Sequence, residues 1–290
     1  MGKSLADAFP VAAATFAEAD EALGFKISEL CWQGPEEELK KTENTQPALV
    51  AVSTAAFRVL REKGMTPDFV AGHSLGEYSA LVAAGALSFV DALRLVRKRG
   101  QYMQQAVPLG VGAMAALLKL PEGKLEAILA EAAQGEVVSA ANLNSPDQIV
   151  IAGHAGAVAR ASELAKAAGA KRAVPLPVSA PFHCPLMKPA QEALAQDLAV
   201  TEFRDLAVPL INNWQAREVQ TGAEARQGLI EQVPNPVRWV ETIRLLAASG
   251  VSKAVEVGPG AVLSGLAKQI DGSIECRKFG EAADWEKLHG

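Results

Sequence analysis

The chain has 290 residues, enough for one large domain or for one domain that carries a smaller inserted one. Hydrophobic residues make up 49% and charged residues 21%, and the net charge of -5 argues against a nucleic-acid binder, which would show a basic stripe. The three cysteines, Cys31, Cys184 and Cys276, include no CxxC pair and indicate neither a metal site nor a disulfide framework. The sequence has no signal peptide and no apolar run of about 18 residues, so we expect a cytoplasmic protein outside the membrane.

The first part of the chain is predicted to be mostly helical, with one short strand. Apolar residues recur at helical spacing over residues 45–63. Residues 68–71 are predicted as a short buried strand, and the turn over 72–76 leads into a helix over 77–84. A further helix over 89–105 carries several basic side chains.

The middle of the chain alternates shorter elements. We predict strands over 113–120, 137–142, 148–152 and 171–176, and helices over 121–133 and 154–168. The order β-α-β-β-α-β is the ferredoxin-like signature. We therefore predict an inserted ferredoxin-like α+β subdomain over residues 111–177.

The last part returns to longer α/β units. We predict helices over 187–199, 237–249 and 261–270, strands over 208–211 and 254–257, and edge structure from residue 272 onward. Strands that alternate with helices indicate a parallel sheet. The expected fold is α/β, with a parallel-sheet, α/β-hydrolase-like catalytic domain that is discontinuous over residues 1–110 and 178–290.

The turn over residues 72–76 reads Gly-His-Ser-Leu-Gly and matches the G-x-S-x-G nucleophile elbow. Small residues on both sides of the serine would let the strand and the helix pack closely, so that the Ser74 hydroxyl points outward. The helix N-terminus behind it supplies free N–H groups, and the Leu75 N–H is the candidate oxyanion donor. The five-residue pattern alone is weak, and the strand before it and the helix after it favour a nucleophile over a chance match.

A serine nucleophile needs a general base, because its hydroxyl is weakly nucleophilic at neutral pH. Of the four histidines, His73 lies inside the turn, His154 opens a predicted helix and His289 lies in the tail, which leaves His183 as the candidate. A loop histidine that only packs is the alternative. No carboxylate is near His183 in sequence and about a hundred residues follow it, so a plain Ser-His-acid hydrolase is disfavoured. A neutral acceptor, such as a backbone carbonyl, is then the expected partner of the imidazole.

Arg99 lies in a predicted helix of mixed charge. The local sequence favours a solvated helix face for this residue. The alternative is an arginine that binds a substrate carboxylate through paired hydrogen bonds.

Taken together, these motifs resemble the malonyl-CoA:acyl carrier protein transacylases of bacterial type II fatty acid synthesis. The matching stretches occur in the family's order and span nearly the whole chain. They are NTQPA at 44–48, AGHSLGEYSA at 71–80, RG at 99–100, MQ at 103–104, NSP at 144–146, IAGH at 151–154, PFHC at 181–184, NPV at 235–237 and EVGPG at 256–260.

The resemblance implies a role for individual residues. Ser74 would be the acylated nucleophile, and His183 would be the general base and acid. Arg99 would pair with the free carboxylate of malonate, which reverses the interpretation from local sequence. The backbone carbonyl of Gln232 would hold the histidine, and Leu75 would give one oxyanion N–H.

Two further residues and the partners follow from the same resemblance. Asn144 would lie near the substrate cleft. Phe182, which precedes His183, resembles the residue at the same position in malonyl-selective members of the wider acyltransferase group. The implied activity is ping-pong transfer of malonyl from malonyl-CoA to acyl carrier protein, with no metal and no cofactor. We expect a monomer, with Lys171 and Arg172 as a candidate basic patch for the acidic carrier protein.

One departure from the family concerns the start of the chain. The family begins with a strand and a Gly-Gln-Gly-Ser-Gln loop whose first glutamine helps to build the oxyanion hole, and no such segment precedes Met1 and Gly2. Either the start of the sequence is assigned too late, or the chain is truncated. The loss of one oxyanion donor typically lowers the rate by a factor of about 10²–10³. Two rivals stay open: a serine thioesterase or esterase, which the same elbow would serve, and a catalytically impaired member that binds carrier protein, which the missing loop makes plausible.

Overall fold

The computed structural model describes residues 1–178 and 180–289, which form fourteen α-helices, nine strands and a short 3₁₀ helix over Pro185–Met187. The helices are α1 (Lys3–Ala8), α2 (Pro10–Leu23), α3 (Ile27–Gln33), α4 (Glu36–Lys40), α5 (Thr42–Glu62), α6 (Gly76–Ala83), α7 (Phe89–Gln105), α8 (Leu125–Ala133), α9 (Ala155–Ala167), α10 (Lys188–Val200), α11 (Gly222–Gln232), α12 (Trp239–Ala248), α13 (Val262–Ile270) and α14 (Asp284–His289). The strands are β1 (Val70–Ala71), β2 (Gly112–Leu118), β3 (Val138–Ser145), β4 (Gln148–His154), β5 (Arg172–Pro175), β6 (Leu210–Ile211), β7 (Glu218–Val219), β8 (Lys253–Val257) and β9 (Glu275–Phe279). Across this described part of the chain, no helix combines the length and apolar character needed to cross a membrane.

Helices α5 and α7 pack against each other at the centre of the larger apolar core. The buried face of α7 repeats at helical spacing, with Leu93, Val96 and Met103 removed from solvent. Ser88 caps this helix, because its hydroxyl accepts a 3.0 Å hydrogen bond from the Asp91 N–H. The prediction of a helix over 89–105 is confirmed at both ends, and the helix predicted over 45–63 begins three residues earlier, as α5.

The elbow belongs to a three-stranded sheet with the order β1-β6-β7. Strands β1 and β6 are parallel, with Val70 opposite Leu210 and Ala71 opposite Ile211, whereas β7 is antiparallel to β6. Strands β8 and β9 form a separate parallel pair. The prediction of parallel α/β structure is therefore confirmed for these pairs, but the sheet is mixed, because β7 returns through a tight connection and can only pair antiparallel to β6.

The middle of the chain forms a four-stranded antiparallel sheet with the order β3-β4-β2-β5. Helices α8 and α9 pack on this sheet and share a separate apolar core with it. The helix predicted from residue 121 is wrong at its start, because α8 begins at Leu125. Gly123 has φ +74°, a left-handed conformation that interrupts a helix.

The other face of this antiparallel sheet packs on the loop that carries His183. Cys184 is fully buried among Met114, Ala116 and Val150 of the sheet. Strand β3 is also bridged to the chain before α12, because Leu143 N–H donates to the Val237 carbonyl at 2.9 Å and Val237 N–H donates to Ala141. The sheet therefore holds the His183 loop against the elbow.

Candidate active site

The elbow places Ser74 between the end of β1 and the start of α6. Ser74 has φ +50°, a left-handed conformation that is uncommon for a residue with a side chain and is often found at functional sites. A Cβ atom on residue 72 would lie 2.0 Å from the backbone of Gly76, so the turn requires glycine there. A Cβ atom on Gly76 would meet nothing within 4 Å, so the close approach restricts residue 72 and not residue 76.

The hydroxyl of Ser74 faces the imidazole of His183. The Oγ–Nε2 distance is 2.7 Å, and the other ring nitrogen, Nδ1, lies 2.9 Å from the backbone carbonyl of Gln232. Because a carbonyl can only accept, Nδ1 carries the proton and Nε2 is free to accept the serine proton. The imidazole is thus oriented by a neutral group, and no side-chain carboxylate contacts it among the residues that the structure describes.

His183 is buried and in its neutral form at neutral pH. Burial lowers the pKa of its imidazole to about 3, with a further contribution from the positive charge of Arg99. His183 also has a left-handed backbone, with φ +56°. A neutral imidazole that touches a serine hydroxyl is able to act as a general base.

Arg99 is buried with its guanidinium beside the serine. Its Nη2 donates to Ser74 Oγ at 3.1 Å and to Gln232 Oε1 at 2.9 Å, and its Nη1 donates to Gln46 Oε1 at 2.8 Å. Its Nε is buried and has no partner among the described residues. The solvated face that local sequence favours is therefore not what the structure shows, and the site holds a cation with a spare donor.

Glu77 lies in the first turn of α6, completely buried. Its Oε2 accepts hydrogen bonds from the Asn213 N–H at 3.0 Å and from Gln232 Nε2 at 2.9 Å, while its Oε1 has no partner in the described chain. Burial raises the pKa of this carboxyl to about 7. Asn213 in turn accepts from the Ser74 N–H at 2.6 Å and donates to the Gly72 carbonyl at 2.6 Å.

Sequence reasoning assigned no role to Gln46, Glu77 and Asn213, although all three contact the site. One available signal was the position of Asn213, which follows the parallel strand β6 next to the elbow strand, because ligand and active-site groups collect at the carboxyl ends of such strands. Glu77 forms hydrogen bonds with Asn213 and Gln232, which lie 136 and 155 positions away from it in the sequence, so no local pattern reveals these contacts.

Leu75 and Asn144 lie in different surroundings. Leu75 precedes α6, and its N–H donates to no other residue that the structure describes, as an oxyanion donor requires. Asn144 Oδ1 lies 2.7 Å from Nε2 of His73, and no hydrogen bond joins Asn144 to Ser74 in the described part of the chain. His73 stacks edge-on against Trp239 at a centroid distance of 5.5 Å and makes no hydrogen bond to Ser74.

A parallel α/β elbow with a serine, a neutral histidine and a buried arginine defines an enzyme of acyl-transfer chemistry. The chain belongs to the acyl transferase domain family, whose model matches residues 1–275. Similar relatives are malonyl CoA-acyl carrier protein transacylases. That of Escherichia coli strain K12 is 50% identical over 278 residues, covering 96% of this chain and 90% of the relative. That of Bacillus subtilis strain 168 is 52% identical over 272 residues, covering 93% and 86%.

Solved structures agree with this assignment. An acyl carrier protein S-malonyltransferase from Vibrio cholerae superposes with a TM-score of 0.97 at 48% identity, covering 99% of this chain and 94% of that chain. A malonyl-transacylase in complex with its type II polyketide acyl-carrier protein superposes with a TM-score of 0.96 at 49% identity, covering 99% and 93%.

Proposed function

We propose that this acyltransferase moves a malonyl group from malonyl-CoA to the phosphopantetheine thiol of acyl carrier protein, through a malonyl ester on Ser74. The observation that carries the proposal is the buried guanidinium of Arg99, 3.1 Å from a serine hydroxyl that also contacts a neutral histidine. The malonyl-specific names of the relatives, and the carrier-protein complex of one solved structure, support the same substrate and partner.

The first half-reaction forms the acyl-enzyme. Nε2 of His183 takes the hydroxyl proton as Ser74 Oγ bonds to the thioester carbon, and the carbonyl electrons move onto oxygen. The Leu75 N–H at the start of α6 stabilises that oxyanion. The carbon–sulfur bond then breaks, and the imidazolium returns its proton to the departing CoA sulfur.

The second half-reaction runs the same path in reverse. His183 accepts the proton of the carrier-protein thiol while its sulfur attacks the malonyl ester. The carbon–oxygen bond breaks, Ser74 recovers the proton from His183, and malonyl leaves on the carrier protein. Because the acceptor is a thiol and not water, a new carbon–sulfur bond forms and the product is again a thioester.

Arg99 supplies selectivity for an acyl group that carries a carboxylate. In a malonyl ester, the free carboxylate lies one methylene beyond the ester carbonyl, within reach of a guanidinium that already touches Ser74 Oγ. Its buried Nε has no hydrogen-bond partner within residues 1–178 and 180–289, and a carboxylate would satisfy it; a charge-assisted pair in a dry site is strong. An acetyl group offers nothing to this donor.

We propose an α/β-hydrolase-like catalytic unit over residues 1–110 and 178–290 and a ferredoxin-like subdomain over 111–177, supported by the strand order β3-β4-β2-β5 and the separate core beneath α8 and α9. Gln232 orients the base through its carbonyl, and Asn144 acts on the cleft through its contact with His73.

The experiment that tests the substrate assignment compares malonyl-CoA with acetyl-CoA as donors. In an Arg99→Ala variant, we expect malonyl loading of Ser74 to fall by about 10²-fold or more, because truncating one partner of a buried charge pair costs about 2–5 kcal/mol. Acetyl loading should survive. The matched control is Arg94→Ala, which removes an exposed guanidinium from the same helix. Unchanged malonyl transfer in Arg99→Ala would show that the substrate assignment is wrong.

A further inference from the structure

The carboxylate of Glu77 lies at the junction of the two supports of the active site. Its Oε2 accepts from Gln232 Nε2 and from the backbone N–H of Asn213, at 2.9 and 3.0 Å. Gln232 is the last residue of α11, Asn213 follows β6, and Glu77 is in α6. One oxygen atom therefore joins three elements that are distant in sequence.

Each of the two residues that Glu77 binds also holds a reacting residue, through a different atom. The Gln232 carbonyl accepts from Nδ1 of His183 at 2.9 Å, which fixes the imidazole tautomer and its orientation. The Asn213 side chain accepts from the Ser74 N–H at 2.6 Å, which fixes the strained turn. Gln232 Nε2 also donates to the Ser74 carbonyl at 3.0 Å.

A purely stabilising role does not account for this carboxylate. Glu77 is fully buried, and its Oε1 has no hydrogen-bond partner among the residues described. A buried polar atom without a partner costs free energy of folding. Glu77 also makes no direct ion pair with Arg99, because no described contact joins their charged atoms within 4.0 Å.

We propose that Glu77 is a positioning residue for the transfer reaction, which acts through Gln232 and Asn213 to hold His183 and Ser74 at attack distance. The role depends on the acceptor oxygen at the position of Oε2, not on the negative charge. It rests on the proposed assignment of Ser74 as nucleophile and His183 as base. The competing role is a countercharge for Arg99, which would depend on the negative charge.

Three substitutions separate these roles. Glu77→Gln keeps an acceptor oxygen at the same reach and removes the charge. Glu77→Met keeps the approximate volume and removes the acceptor. Glu77→Asp keeps the charge but withdraws the oxygen by one methylene. Leu229→Ala is the control, because it opens a cavity in the buried face of α11 without removing any hydrogen bond of the site.

The measurements on the full chain are the rate of Ser74 malonylation by malonyl-CoA, the kcat and KM of transfer, and the rate of Ser74 labelling by a fluorophosphonate. The labelling rate measures the reactivity of the Ser74–His183 pair and does not depend on recognition of the malonyl carboxylate. We expect Glu77→Met and Glu77→Asp to lose about 10²-fold in kcat and in labelling rate with little change in KM, since a misplacement of about 1 Å costs that much. Glu77→Gln should stay within about tenfold of the native chain, and Leu229→Ala should lower the unfolding temperature while its folded fraction keeps the native kcat.

Each other outcome has a definite meaning. Equal losses in Glu77→Gln and Glu77→Met, with Glu77→Asp active, would overturn the proposal in favour of the countercharge. Native labelling rates in both Glu77→Met and Glu77→Asp would overturn it outright. If the native chain is labelled on Ser74 but takes no malonyl, the substrate assignment fails, and the labelling rates of the variants still decide the role of Glu77.

Discussion

Replacing Glu77 by glutamine should change how the stability of the protein depends on pH. Burial raises the pKa of this carboxyl from 4.5 to about 7. Between these two values the folded state binds more protons than the unfolded state, so stability is lost as the pH rises through the folded pKa. This difference between the two pKa values corresponds to about 3 kcal/mol for a side chain that is fully buried.

The Glu77→Gln variant lacks this titration. Its amide nitrogen would occupy the position of the unpartnered Oε1, which adds a cost that does not depend on pH. We therefore expect the free energy of unfolding of the variant, relative to the native chain, to rise by about 3 kcal/mol between pH 4.5 and pH 8 and then to level off.

Urea unfolding followed by tryptophan fluorescence, at intervals from pH 4.5 to 8.5, measures this difference. The matched control is Glu192→Gln, a carboxylate-to-amide change on the exposed side of α10, whose curve should run parallel to that of the native chain. Parallel curves for Glu77→Gln and the native chain would refute the raised pKa, and a relative loss of stability above pH 7 would show that the ionised carboxylate stabilises the fold.

Two further predictions concern the elbow and the base. Gly72→Ala should abolish labelling of Ser74 by a fluorophosphonate, because the new Cβ would lie 2.0 Å from the Gly76 backbone. Urea unfolding should show that its free energy of unfolding is lower by about 3 kcal/mol or more. Gly76→Ala, whose Cβ would meet nothing within 4 Å, should have a far milder effect on both. The rate of single-turnover malonylation should fall little between pH 7.5 and pH 5, because the pKa of His183 is lowered to about 3 and the base stays neutral. A fall of about 30-fold over this range would instead indicate an ordinary histidine with a pKa of 6.5.

Local sequence predicted the elements whose signals are short-range. The helix over 89–105 has a serine cap and a regular apolar stripe, and the order of elements over 111–177 follows from alternation and turn residues. Helix α11 is absent from the predicted elements, although Thr221 caps its N-terminus and pairs with Glu224 of its first turn. Strand β7 is also absent, because two residues carry no measurable alternation.

Only part of the site could be predicted from the local sequence, because the rest of it is formed by tertiary contacts. Ser74 lies in a contiguous motif, and His183 follows by elimination among four histidines. The burial of Arg99 could not be predicted from the local sequence, because its neighbours in sequence are charged. Its side chain turns inward toward Gln46 and Gln232. Contacts of this kind depend on tertiary packing, and the resemblance to a family, not the local pattern, indicated that Arg99 faces the substrate.

The most direct measurement of the proposed reaction is the mass of the protein after it is mixed with malonyl-CoA and quenched, followed by peptide mapping. We expect one malonyl group on the peptide that contains Ser74, and its transfer to carrier protein when the thiol-bearing form of that protein is added. Malonate released into solution in place of malonyl carrier protein would identify a thioesterase, and a peptide that never gains malonyl would contradict covalent catalysis at Ser74.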